Sequence, residues 1–89
     1  MKEPYLEVTF RRGKPVAAYY YLPRRAGQKS YKSVRMDPSL VVDFGRTGKP
    51  IGIEITAPAL VSAAILNRVL KQFGFPLAKA SDLEPLKAA

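Results

Sequence analysis

Over residues 5–10 the chain alternates, with Leu6, Val8 and Phe10 on one face and Tyr5, Glu7 and Thr9 on the other. A period of two predicts a strand buried on one side. Arg11-Arg12-Gly13-Lys14-Pro15 interrupts it as a turn: Gly13 accepts positive φ, and Pro15 has no amide to give a central strand. Residues 16–22, rich in tyrosine, predict the return strand. Pairing Phe10 with Val16 sets Leu6, Val8 and Phe10 opposite Tyr20, Ala18 and Val16, so the hairpin has one continuous apolar side.

A polar, basic loop follows over residues 23–29, then a weaker strand candidate over 30–36 and a turn at Asp37-Pro38-Ser39. Residues 40–44 and 51–55 predict a second hairpin around Gly45-Arg46-Thr47-Gly48-Lys49-Pro50. Pairing Phe44 with Ile51 brings Val42 opposite Ile53 and Leu40 opposite Ile55. Beyond Thr56 the period lengthens. Ile65, Leu66, Val69, Leu70 and Phe73 recur at helical spacing, and Asn67, Arg68, Lys71 and Gln72 take the other face. With Thr56 as cap and Pro58 in the first turn, the helix is expected over about 57–73, closed by Gly74 and Pro76. Residues 75–89 read as a tail: Ser81-Asp82-Leu83-Glu84 has capping-box spacing, but Pro85 limits it to about a turn. The expected architecture is a single α+β domain. An antiparallel sheet of four to five strands over about 5–55, built from two hairpins, is packed on one face by a single long C-terminal helix. Such a helix, ~24 Å long, covers one sheet face and leaves the other open.

Composition narrows the chemistry. The chain has 89 residues, enough for one domain, and its 47% hydrophobic content is that of a folded protein. It holds no Cys, which excludes disulfides, thiolate metal sites and thiol nucleophiles, and no His, the commonest general base and transition-metal ligand. The longest apolar run, residues 57–66, is broken by Pro58 and Ser62 and is too short to span a membrane, and the sequence from Met1 to Tyr5 lacks the apolar run of a secretory signal. A cytoplasmic protein without membrane contact, cofactor or metal is the expectation.

The stretch Val42-Asp43-Phe44-Gly45-Arg46-Thr47-Gly48-Lys49-Pro50-Ile51-Gly52-Ile53-Glu54-Ile55 resembles a small bacterial family, domain of unknown function 2283. Members share a hydrophobic strand ending in Asp, a Gly turn and then Gly-Ile-Glu-Ile, here Asp43, Gly48, Gly52, Ile53 and Glu54. Ala17-Ala18-Tyr19-Tyr20-Tyr21-Leu22 is similar to the family's Ala-x-Tyr-x-x-Leu strand. The resemblance covers about two-thirds of the chain and implies no catalytic residues. Some members resemble partners of small toxins in paired genes, which implies an antitoxin-like role and a protein partner from a neighbouring gene. This chain departs from the shorter members in its C-terminal helix and tail and in its positive charge.

That charge is local. Arg11, Arg12, Lys14, Arg24, Arg25, Lys29, Lys32 and Arg35 fall between residues 11 and 35 with no acid among them, so this window carries the whole net charge of +8. Such a cluster suits phosphate and nucleic acid, or else serves as solvated turn and edge charge. In the first hairpin the cations divide between its two ends, ~23 Å apart at ~3.3 Å per residue. Tyr5, Tyr19 and Tyr21, with Tyr31, fall on the sheet face the helix leaves open. They suit either a dimer interface, which the sequence favours, or a base-stacking platform. Asp43 and Glu54 lie diagonally on that same face, ~7–8 Å apart, expected to pair with Arg35, Arg46 or Lys49 and set register rather than to catalyse. The Gly45–Gly48 loop lacks the length and the Ser/Thr of a phosphate-binding loop. The sequence therefore predicts a non-enzymatic, homodimeric interaction module, with nucleic-acid binding as the rival.

Overall fold

The computed structural model describes residues 3–23 and 28–87. Five strands form one antiparallel sheet: β1 (Tyr5–Arg11), β2 (Lys14–Tyr21), β3 (Lys32–Asp37), β4 (Leu40–Phe44) and β5 (Pro50–Ile55), in the spatial order β1-β2-β5-β4-β3. Both predicted hairpins form. They join through β2 and β5, so β5, the Gly-Ile-Glu-Ile strand, lies in the middle and β1 and β3 are the edges.

The interior registers are the expected ones, Leu6↔Tyr20 and Val8↔Ala18 in the first hairpin, Val42↔Ile53 and Leu40↔Ile55 in the second. The pairs nearest the turns differ by one residue. Phe10 pairs with Pro15 rather than Val16, and Phe44 with Pro50 rather than Ile51. In each return strand the residue after a proline is extra, Val16 in one and Ile51 in the other. Proline has no N–H for the ladder, and a bulge absorbs the mismatch.

One side of the sheet carries the core. Ala18, Tyr20, Leu22, Leu40, Val42, Ile53 and Ile55 are buried there against Val61, Leu66, Val69 and Leu70. The single long helix is not formed. A 3-10 turn at Pro58–Leu60 leads through extended Val61 to α1 (Ala63–Gln72), a helix of 10 residues. Its cap is Ser62, whose Oγ accepts from the Ile65 amide at 3.3 Å, rather than Thr56. Helical propensity alone favours starting at Pro58, but the Val61 backbone is extended, so Ser62 becomes the residue that satisfies the first amides. The C-terminus closes as predicted: Gly74 takes φ +76, and the Gly74 and Phe75 amides donate to the Lys71 and Leu70 carbonyls.

So short a helix, ~15 Å long, cannot cover five strands. The tail covers the remainder. Ala80–Lys87 forms a 3-10 helix that buries Leu83 and Leu86, with Ala78 just before it. Pro85 was expected to limit this segment to a turn; instead a 3-10 helix runs past it. Lys79 and Asp82 brace its start, the Lys79 amide donating to Asp82 Oδ2 at 3.0 Å and the Asp82 amide to the Lys79 carbonyl at 3.0 Å. Asn67, expected on the solvated face of the helix, grips the tail: Nδ2 donates to the Ala78 carbonyl at 2.9 Å, and Oδ1 accepts from the Ala78 amide at 2.7 Å. Burial and the nearby Asp82 carboxylate push the Tyr20 phenol above its ordinary value, which marks the tail's contact with β2. If the tail is part of the core, Leu86→Ala will cost about 2–4 kcal/mol in urea unfolding, whereas Leu77→Ala, at an exposed position, will cost less than about 0.5 kcal/mol.

Candidate functional site: the open face of the sheet

Side chains on the face away from the helix fall into two rungs that cross the whole sheet. The first runs Tyr5, Tyr21, Gly52, Asp43, Ser33, each a direct partner of the next on β1, β2, β5, β4 and β3. The second runs Glu7, Tyr19, Glu54, Val41, Arg35 in the same strand order. The alternation read from the sequence thus converges on one surface, and residues from all five strands meet there.

Tyr19 ties the rungs together. It belongs to the second, yet its ring leans across β5 and covers Gly52 in the first, where a Cβ would overlap its Oη, Cε2 and Cζ atoms. Lying there, its hydroxyl donates to Asp43 Oδ2 at 2.8 Å. Ser33 Oγ donates to the other carboxylate oxygen, Oδ1. Gly52 is therefore a glycine for reasons of space, the sheet position over which an aromatic ring from the next strand packs. Asp43, only 5% exposed, has each of its oxygens engaged by a hydroxyl from a different strand. Of the cations expected beside the two carboxylates, the Arg35 guanidinium donates to the Pro38 carbonyl at 2.6 Å, and Arg46 lies over the Tyr31 ring, 5.8 Å from its centroid.

Glu54, diagonal to Asp43 as expected, is the second carboxylate. Its pKa is raised, first by a hydrogen bond with Asp43 that a protonated Glu54 donates, then by partial burial and by the Asp43 charge, while Arg35 opposes the shift. Such a pair can share a proton. Among the described residues no group of three or more metal-ligating acids occurs.

The tyrosines divide. Tyr5 and Tyr21 stack at 4.5 Å with an interplanar angle of 15°, and Tyr19 meets Tyr21 edge-on at 4.6 Å. The Tyr21 hydroxyl also reaches Glu7 at 3.4 Å. Tyr31, expected to join them, does not: it precedes β3 at the opposite edge and pairs with Arg46. The basic window separates too. Arg11, Arg12 and Lys14 cluster at the tip of the β1–β2 hairpin, while Lys32 and Arg35 lie on β3, four strand spacings or ~19 Å across the sheet. Lys29 is exposed in the connection before β3; Arg24 and Arg25 lie outside the described residues. Of the remaining motif residues, Ile53 is a core residue, and Gly48 turns the second hairpin with φ +87. Sequence reasoning missed Ser33, whose one signal is its outward register opposite Asp43.

No protein-family model matches the chain, and neither the curated proteins nor the solved structures give a significant match. Among the described residues no helix is long and apolar enough to cross a membrane.

The geometry makes two predictions. Gly52→Ala will destabilise by about 1–3 kcal/mol through overlap with the Tyr19 ring. The penalty will fall sharply in a Tyr19→Ala background, and a thermal-melt double-mutant cycle reads the coupling. Because the Glu54 pKa is raised on folding, its carboxylate destabilises the fold above the folded value, and this loss disappears as pH falls below the unfolded value. Glu54→Gln will therefore melt slightly higher than wild type at neutral pH, an advantage that solvent screening keeps small and that shrinks as the pH falls through the carboxylate range.

Proposed function

We propose that the chain is a non-enzymatic interaction module that acts as a homodimer, two copies meeting through their open sheet faces about a twofold axis. The charge order of the second rung carries this reading: Glu7 at the β1 edge, Arg35 at the β3 edge, and Tyr19, Glu54 and Val41 between them. Reversed by a twofold axis that lies in the interface and runs along the strands, that row is its own complement, with each Arg35 over the partner's Glu7, as an isologous interface requires. At its centre Glu54, whose pKa is raised beside Asp43, meets its symmetry mate. The half-exposed Tyr5, already stacked on Tyr21, adds apolar area with little ordering cost.

The resemblance to the family of unknown function extends the reading to an antitoxin-like accessory of a bacterial gene pair, with a second protein bound by the dimer. Nucleic-acid binding on the tyrosine face is the weaker reading. Its rings stack on one another instead of standing apart for bases, and Glu7, Asp43 and Glu54 bring carboxylates to a surface that would meet phosphate.

Multi-angle light scattering at high micromolar concentration tests the dimer, which has twice the 9.8 kDa chain mass. Tyr5→Arg, at a half-exposed edge position that leaves the core intact, will shift that mass to the monomer with an unchanged far-ultraviolet dichroism spectrum. A monomeric wild-type protein overturns the proposal; a dimer that survives both Tyr5→Arg and Tyr21→Arg places the interface elsewhere.

A further inference from the structure

The β1–β2 hairpin is longer than the sheet it belongs to. β2 pairs with β5 only from Ala18 to Tyr21, whereas β1 and β2 continue together through Thr9↔Ala17, Phe10↔Pro15 and Arg11↔Lys14. These last pairs and the Arg12-Gly13 turn form a two-stranded arm, ~10–13 Å long at ~3.3 Å per residue. Its chemistry differs from that of the open face. Phe10 and Val16 continue the apolar pattern of the hairpin past the reach of the core and stay 48% and 45% exposed. Arg11, Arg12 and Lys14 surround a surface depression at the tip whose lining they share with Val16. Between Glu7 and Asp37 the sequence contains no carboxylate.

The backbone of the tip adds a further observation. Arg12 holds φ +51 beside Gly13 at φ +78, the double positive φ of a tight two-residue hairpin turn. Asn or Gly takes that first position at lower cost, and an arginine there sacrifices on the order of 1 kcal/mol. The cost puts a guanidinium at the turn of an arm that also carries Arg11 and Lys14.

We infer that this arm is a contact for duplex DNA, laid into the major groove. It stands whether or not the chain dimerises, and it uses none of the open-face residues. Two strands ~4.8 Å apart, with their side chains, suit a groove ~12 Å wide that admits a two-stranded ribbon. The major groove of A-form RNA is too narrow and deep for such side chains, and an unpaired strand calls for a run of aromatic platforms where the arm has Phe10 alone. Arg11, Arg12 and Lys14 then reach the flanking phosphates, while Phe10 and Val16 meet thymine methyls at the groove floor.

The test is fluorescence anisotropy of the full chain against mixed-sequence duplex DNA of about 20 base pairs, duplex RNA and single-stranded DNA, from ~50 to ~200 mM salt. Duplex DNA is expected to bind most tightly. The variant Arg11→Ser/Arg12→Gly/Lys14→Ser, which relieves the positive φ and leaves the core untouched, will lower affinity at least about tenfold at ~50 mM salt and reduce the salt slope by about 2–3. Phe10→Ser/Val16→Thr will weaken binding with little change of slope. Lys32→Ser/Arg35→Ser, which removes charge from the far edge, will change affinity by less than about threefold. The inference is overturned by absent binding to duplex DNA at the lower salt, by a preference for RNA or single strands, or by similar losses from the two charge-removal variants, which would signify diffuse attraction.

Discussion

The fold depends on one short seam. The β1–β2 hairpin and the β3–β4–β5 meander become one sheet through the pairing of Ala18, Tyr19, Tyr20 and Tyr21 with Ile55, Glu54, Ile53 and Gly52, extended by the Leu22 amide bonding the Ile51 carbonyl. Below the sheet, Tyr20 and Ala18 pack with Ile53 and Ile55 in the core. Above it, Tyr19 lies over Gly52 and bonds Asp43 one strand further on. A ring that spans a glycine to reach a carboxylate has one register in which it fits, so the seam is specified from both faces. Backbone pairing alone would tolerate a slip that these contacts do not.

Everything on the helix side follows from where that seam lies. It puts β5 at the centre and spreads the apolar face across five strands, more than a helix of 10 residues covers. The chain answers with a second cover, the 3-10 tail, held to the helix by the Asn67 side chain at Ala78. For a chain of this size the buried Leu83 and Leu86 are a substantial share of the core. The open side stays uncovered and is organised instead by polar bonds and stacked rings. Of its two carboxylates, Asp43 is held by two hydroxyls, and Glu54 beside it is raised in pKa.

Strands, hairpins and the face carried by each residue of the two hairpins were legible because alternation is a local property. Leu6 through Val8 and Leu40 through Ile55 show their pattern without reference to the rest of the chain, and so does the helical stripe from Ile65 to Phe73. The registers failed only beside Pro15 and Pro50, where a missing amide forces a bulge that periodicity does not register. Asp43 and Glu54 were legible as neighbours on one face. Their partners were not, because Tyr19 and Ser33 arrive from strands whose order the sequence leaves open.

By itself, then, the sequence determined the α+β class, the two hairpins, the apolar stripe of the helix, and the absence of the thiol and imidazole chemistry that Cys and His would supply. Only the tertiary structure decided the strand order, the helix start at Ser62, the role of the tail, and the division of the basic window between a hairpin tip and a far edge. The physical reason is the range of the forces involved. Periodicity and turn chemistry act within a few residues, whereas burial and polar satisfaction are settled by whichever distant segment fills the space beside them. Gly52 shows both at once: its lack of a side chain is written in the sequence, and Tyr19, 33 positions earlier, is what makes use of it.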